Sequence, residues 1–151
     1  MAVHSSRDPN YEARVRASFA AQKFMATIGA SLDRISPGEV VISLPFRDDL
    51  TQQHGFLHAG VLGAIADSAC GYAALSLMEP AAAVLSVEYK LNLLTPAAGT
   101  RFVATGRAVR PGQTLTVCSA EVRAIGAESE VLVALMQSTM IAVRDRAGLR
   151  D

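Results

Sequence analysis

A long apolar segment near the middle of the chain constrains the fold more than any other feature. Residues 59–78 are hydrophobic nearly all round when placed on a helix, and the single charged residue among them is Asp67. A helix of this kind is buried inside a protein. We therefore expect 59–78 to form a core helix that contains one carboxylate. Gly71, which lacks a side chain within it, predicts close approach by another backbone.

Helical and β patterns alternate around this segment. Residues 11–28 carry Val15, Phe19, Phe24 and Ile28 near helical spacing, which predicts an amphipathic first helix. Apolar residues between 32 and 45, with a turn at Pro37-Gly38, predict a β-hairpin. The loop 47–57 follows.

Four strands are predicted after the long helix. The first alternates apolar residues with polar ones, which places Ser86 on its polar face. The last is apolar on both faces and is expected to be covered twice. Short connections favour antiparallel neighbours. The strand ranges are 85–93, 102–109, 114–125 and 131–143.

One buried helix between an early hairpin and a run of long strands predicts an α+β fold, in which an antiparallel sheet wraps around the helix. The chain has 151 residues, of which 50% are hydrophobic and 19% charged. This length and composition suit one domain with a full core, so 1–151 is expected to be a single domain.

Charge and cysteine usage exclude several partners. The 14 basic residues balance 14 acidic ones, and no basic run appears, so we expect no nucleic-acid and no membrane partner. Cys70 and Cys118 fall on apolar elements and do not suggest a disulfide framework. The first ten residues have no apolar stretch of signal-peptide length. The prediction is a soluble, cytoplasmic protein.

Asp67 is the first candidate for chemistry. An ionised carboxylate in a low-dielectric helix is costly unless it is paired, hydrogen-bonded or shifted in pKa. Carboxylates of this type are common at catalytic centres. The alternative is a structural carboxylate bonded to a neighbouring loop.

The order of elements and the residues around Asp67 resemble a known family. His58-Ala59-Gly60 and the acid nine residues after His58 resemble the motif of PaaI-like acyl-CoA thioesterases of the hot-dog fold, whose pattern is Asn, then His-Gly-Gly, then that acid. Leu85-Ser86-Val87-Glu88 matches the start of the following strand. The resemblance covers about 20–143. The chain departs from the pattern at Ala59 and at Gln52, and each departure keeps the N–H or amide group that the chemistry needs.

The resemblance implies a hydrolase of acyl-CoA thioesters with no cofactor beyond the coenzyme A of its substrate. The N–H of Ala59 and the amide of Gln52 would hold the thioester oxygen as negative charge develops. Asp67 would act as a general base on water or as a nucleophile, and Ser86 would orient the water or the carboxylate. The sequence favours neither route, and it suits an aliphatic or an aryl acyl group.

Loop residues before the helix complete the expected site. His58 would order the loop or hydrogen-bond near the leaving sulfur, although a helix cap is the alternative role. Gly60, Gln53 and His54 are expected to bind substrate. Ser86 could equally be a solvated serine.

Helix geometry gives an independent expectation about assembly. Ala59 and Asp67 lie about 12 Å apart along one helix, so both cannot reach one carbonyl within a single chain. Two chains related by a two-fold axis would pair the helix N-terminus of one with Asp67 of the other. We therefore expect a homodimer, and a homotetramer if the free sheet face packs on a second dimer.

Competing chemistries have weaker support. Asp49 and His54 faintly resemble the motif of hot-dog enoyl-CoA hydratases, but the Asn-Pro between the two is missing. His54 and His58 are four apart, as in zinc-binding helices, yet no further ligand follows, so no metal is expected. A non-catalytic acyl-CoA binding protein is a further alternative, and the intact Asp67 argues against it.

Overall fold

The computed structural model describes residues 4–149 and 151. Within them the chain forms three α-helices, a short 3₁₀ turn and one six-stranded sheet. In chain order, the elements are α1 (Tyr11–Ala21), α2 (Lys23–Ile28), β1 (Ser31–Ser36), β2 (Glu39–Pro45), the turn Asp48–Leu50, α3 (Ala59–Leu75), β3 (Ala83–Leu93), β4 (Arg101–Arg110), β5 (Leu115–Ile125) and β6 (Glu130–Val143). None of the helices in this described part has the length and hydrophobicity that crossing a bilayer requires.

The sheet is antiparallel throughout, in the order β1-β2-β4-β5-β6-β3. The predicted hairpin and the four predicted strands are all present, with ends that differ by a few residues. Helix α3 packs across one face of the sheet, and most of its side chains are buried. The predicted α+β architecture, an antiparallel sheet around one long buried helix, is confirmed.

The close approach between α3 and the sheet occurs at Gly106 of β4. A Cβ atom at Gly106 would lie 2.3 Å from the carbonyl carbon of Ala69 on the helix. The prediction that Gly71 marks this approach is wrong, because a Cβ atom at Gly71 would meet no atom within 4 Å. Backbone contact is a property of two elements, so the glycine that permits it can lie on either one.

The predicted first helix over 11–28 is two helices. Gln22 separates them in an extended conformation, with φ −79° and ψ 92°. This residue resets the helical phase, so that Met25 rather than Phe24 faces the core. Met25 is 2% exposed and Phe24 is 54% exposed, which corrects the prediction that Phe24 belongs to the apolar face.

Helix α1 is fixed to the loop that follows α3 by a buried arginine. The guanidinium of Arg14 donates to Asp8 at 3.2 Å, to the carbonyl of Glu79 at 2.9 Å and to the carbonyl of Ala82. Both charged side chains are almost fully buried. A buried charge needs such partners, so breaking this cluster would be costly. The cluster holds α1 in place beside α3.

Strand β3 forms one edge of the sheet and contains a β-bulge. Ser86 pairs with Met140, and the next pair is Glu88 with Thr139, so Val87 is the extra residue. Directly opposed residues share a face. Ser86 therefore lies on the helix-facing side with the buried Met140, and its predicted position on the polar face is wrong, because the bulge changes the alternation.

The outer face of the sheet remains partly apolar and open in the single chain. Leu135 of β6 is 36% exposed and Leu115 of β5 is 49% exposed, whereas Met136 and Met140 on the inner side of β6 are buried. We expected both faces of this strand to be covered. Within one chain, only its inner face is covered.

Candidate functional site

Asp67 and Ser86 form the polar centre of one cavity. Asp67 is half-buried on α3, and the Ser86 hydroxyl donates a hydrogen bond of 2.8 Å to its Oδ1. Burial raises the pKa of Asp67 above its ordinary value, and the hydrogen bond from Ser86 opposes that rise. A carboxylate whose pKa is raised holds a proton more readily, which suits a general base.

The N-terminus of α3 is capped by His58. The Nδ1 atom of His58 accepts a 2.8 Å hydrogen bond from the N–H of Gly60. This is the capping role that the sequence analysis left open for His58. Within the part of the chain that the structure describes, the N–H of Ala59 meets no protein acceptor. It therefore remains available to an oxygen atom at the positive end of the helix.

The loop before α3 fixes the amide of Gln52 beside this helix end. The Oε1 atom of Gln52 accepts from the N–H of His54, which leaves the NH₂ group of Gln52 as a free donor. Gln52, His54 and Ala59 line one cavity of about 470 Å³. Both residues that are expected to bind the thioester oxygen therefore line the same cavity.

Asp67 lies in a different cavity. That cavity has a volume of about 540 Å³, and Asp67, Ser86 and Gly71 are among its lining residues. It shares no lining residue with the cavity of Ala59. Both residues lie on α3, eight positions apart, which is about 12 Å along the helix axis. One chain therefore holds two half-sites that do not meet.

Two of the expected substrate-binding residues lie outside both cavities. Gln53 is exposed and lines neither of them, and the N–H of Gly60 is occupied by the cap. Substrate contacts by these two residues remain predictions.

Several lining residues of the Asp67 cavity were missed by the sequence analysis. They come mainly from α1 and from α3, and are Ala17, Ser18, Ala21, Gln22, Ser68 and Tyr72. Gln22 closes one wall by accepting a 3.1 Å hydrogen bond from Ser68. No local sequence pattern marks these residues as part of a cavity. Only the packing of α1 on α3 identifies them.

The competing chemistries lack an assembled site. Asp49 forms a two-point ion pair with Arg47, which lowers the pKa of Asp49, and it makes no hydrogen bond to His54. Among the described residues there is no cluster of three metal-ligating side chains. Burial raises the pKa of Cys70 to about 12, so this thiol is a poor nucleophile.

The profile of the thioesterase superfamily matches residues 54–130, which include the helix cap, Asp67 and Ser86. The chain belongs to this superfamily. The structure is similar to that of a thioesterase family protein from Silicibacter pomeroyi, with a TM-score of 0.87 and 51% sequence identity over 89% of this chain and 98% of that one. The predictions of a hot-dog thioesterase fold and of a thioester hydrolase are confirmed.

Other similar proteins are also thioesterases or share the fold. The PaaI protein of Escherichia coli shares the fold, with a TM-score of 0.81 and 19% identity over 91% of this chain and 96% of its own. A 1,4-dihydroxy-2-naphthoyl-CoA hydrolase from Listeria monocytogenes is 27% identical over 80% of this chain and 95% of its length. A putative esterase from Saccharolobus solfataricus is 30% identical over 58% of this chain. The match covers 61% of the length of that esterase.

Proposed function

We propose that this thioesterase hydrolyses the thioester of a small or medium acyl-CoA, aliphatic or aryl, to the free acid and coenzyme A. The observation that carries the proposal is the pair of half-sites on α3, one with a half-buried carboxylate and one with N–H donors that meet no acceptor in the described chain. The resemblance to a 1,4-dihydroxy-2-naphthoyl-CoA hydrolase supports a CoA thioester as the substrate class.

In the proposed mechanism, the two half-sites come from two chains. The N–H of Ala59 and the amide of Gln52 bind the thioester oxygen and stabilise the negative charge that develops on it. Asp67 of the second chain takes a proton from a water that attacks the carbonyl; the C–S bond then breaks, and the thiolate of coenzyme A receives that proton as it leaves. Alternatively, Asp67 attacks the carbonyl itself and expels the thiolate, which takes a proton from solvent, and water then hydrolyses the mixed anhydride to the free acid and restores Asp67. Ser86 holds the Asp67 carboxylate in the required orientation.

The free edge of β3 supports the pairing of two chains. Within the described chain, β3 pairs only with β6, and its other edge leaves backbone N–H and C=O groups without strand partners. Val87 is 55% exposed and Tyr89 is 51% exposed on this edge strand. A long apolar edge is a template for pairing with another strand. A second copy of the chain would satisfy it and would bring Asp67 towards the other helix N-terminus.

The outer face of the sheet supports the proposal of a dimer of dimers. Leu115 and Leu135 are exposed there, and burying them against a second dimer would be favourable. The proposed enzyme needs no metal and no cofactor other than the coenzyme A of its substrate. Its location in the cytoplasm remains a prediction.

Asp67→Asn is the direct test of the mechanism. The change keeps the shape of the side chain and removes the base or nucleophile, so kcat should fall by about a hundredfold or more. Release of free coenzyme A from a panel of acyl-CoAs measures the rate, and thermal unfolding verifies the fold. Unchanged turnover would remove Asp67 from the mechanism.

Asp49→Asn is the matched control. It makes the same chemical change on an exposed carboxylate whose partner is Arg47, so thioester hydrolysis should stay at the wild-type rate. The same variant tests the alternatives. Hydration of an enoyl-CoA that depends on Asp49 would favour a hydratase. Tight binding of acyl-CoA without any turnover would indicate a binding protein.

A further inference from the structure

Within the described residues of one chain, neither a contact nor a backbone angle requires a glycine at position 71. It lies within α3, where glycine destabilises a helix relative to alanine. Its φ is not positive, in contrast to those of Gly29, Gly38 and Gly55. A Cβ atom at Gly71 would meet no atom within 4 Å, in contrast to Gly106.

The open space beside Gly71 belongs to the Asp67 cavity. Gly71 follows Asp67 by four positions, so the two residues occupy the same face of α3 about 5–6 Å apart. Two further small residues, Ala17 and Ala21, line the same cavity from α1. The space that a side chain at Gly71 would fill is therefore next to the carboxylate.

The opposite wall of the cavity cannot move away easily. The buried Arg14 cluster fixes α1 to the loop that follows α3, and Gln22 bonds to Ser68 across the gap. A Cβ atom at Gly71 would meet no atom within 4 Å, so an added methyl group would occupy the cavity without touching α1. A side chain at Gly71 would therefore reduce the space for a ligand rather than push α1 outward.

We propose that Gly71 is a specificity-determining residue, whose missing side chain leaves room for the body of the acyl group beside Asp67. This inference rests on the proposed function. The acyl groups that depend on Gly71 are those longer than acetyl, with an apolar body that fills the space between Gly71 and the two alanines of α1.

Gly71→Ala separates this role from a structural one. Alanine removes the helix penalty, so Tm should rise by roughly 2–4 °C. The kcat/KM for hexanoyl-, octanoyl- and benzoyl-CoA should fall about tenfold or more, because one methyl group in the space that holds the acyl group discriminates to that extent. The kcat/KM for acetyl-CoA should stay within a few fold of wild type.

Gly63→Ala is the matched control on the same helix. A Cβ atom there would make ordinary contact with Leu91 at 3.5 Å, and Gly63 does not line the Asp67 cavity. This variant should also gain in Tm but keep the wild-type ratio of rates for long and short acyl groups. Binding of non-hydrolysable S-alkyl-CoA thioethers, measured by calorimetry, and the mass in solution complete the comparison.

Each outcome decides the inference. A wild-type ratio of rates in Gly71→Ala overturns it, and so does a lower Tm or a changed oligomer mass, since the glycine would then serve packing. If wild type hydrolyses nothing but binds S-alkyl-CoAs with a chain-length preference that Gly71→Ala shortens, the proposed hydrolysis fails and the inference stands. Wild type that neither hydrolyses nor binds them overturns both.

Discussion

Two inactive chains should restore each other when they form one dimer. The first carries Asp67→Asn and keeps a working helix N-terminus. The second carries Ala59→Pro, which deletes the N–H donor and keeps Asp67. In the hybrid, one site combines Asp67 with the intact Ala59, and the other site combines both defects.

Ala59→Pro should remove the N–H donor without disturbing the helix. Ala59 is the first residue of α3, the position where proline is best tolerated because its N–H makes no helical bond. His58 before it has φ −64° and ψ 136°, an extended conformation that is compatible with a following proline. The variant should therefore fold as wild type does, and its loss of rate would report the donor.

The expected magnitudes are well separated. Loss of one oxyanion donor lowers kcat roughly 10²-fold to 10³-fold, and loss of the base has an effect of roughly 10²-fold to 10⁴-fold. A purified hybrid keeps one of two sites and should show about half of the wild-type activity, which is about 50-fold or more above either parent. An unsorted equal mixture contains about half hybrid dimers and should show about a quarter.

The assay uses two different affinity tags, co-expression and sequential purification, followed by release of coenzyme A. Mixing the purified parents without exchange of chains provides the control. A verified hybrid that is as inactive as its parents would refute the shared site. The same conclusion would follow from a wild-type chain that stays monomeric and active at the assay concentration.

Two further predictions follow from the site and the core. Ser86→Ala removes the hydrogen bond that opposes the raised pKa of Asp67, so the acidic limb of the kcat/KM profile should move to higher pH; a limb that stays in place would mean that Asp67 does not control it. Gly106→Ala should lower the free energy of unfolding by about 3 kcal/mol, because its Cβ atom would overlap the backbone of Ala69; chemical denaturation measures this, and wild-type stability would contradict the contact.

Much of the fold and half of the site follow from local sequence patterns. An unbroken apolar segment can only be buried, and Asp67 stands out because it is the one charge within it. The strand patterns define the sheet because alternation and turn residues are local signals. The separation of Ala59 and Asp67 follows from helix geometry alone.

The remaining features depend on contacts between distant segments. The bulge at Val87 moves Ser86 from the expected polar face to the helix face, and no local pattern records it. The glycine at the helix–sheet contact is Gly106, whereas Gly71 faces open space. The break at Gln22 changes which side chains of α2 are buried, since an extended residue resets the phase of the helix.

The edge strand β3 also limits which copies of the chain can pair along it. Its centre carries opposite charges on either side of Tyr89, at Glu88 and Lys90. A two-fold alignment centred on Tyr89 places each of these charges opposite its counterpart, which is favourable. An alignment centred on Glu88 or on Lys90 would bring like charges together. The same strand that attracts a second copy through its apolar side chains therefore resists shifted registers, and with them the disordered edge-to-edge association that leads to aggregation.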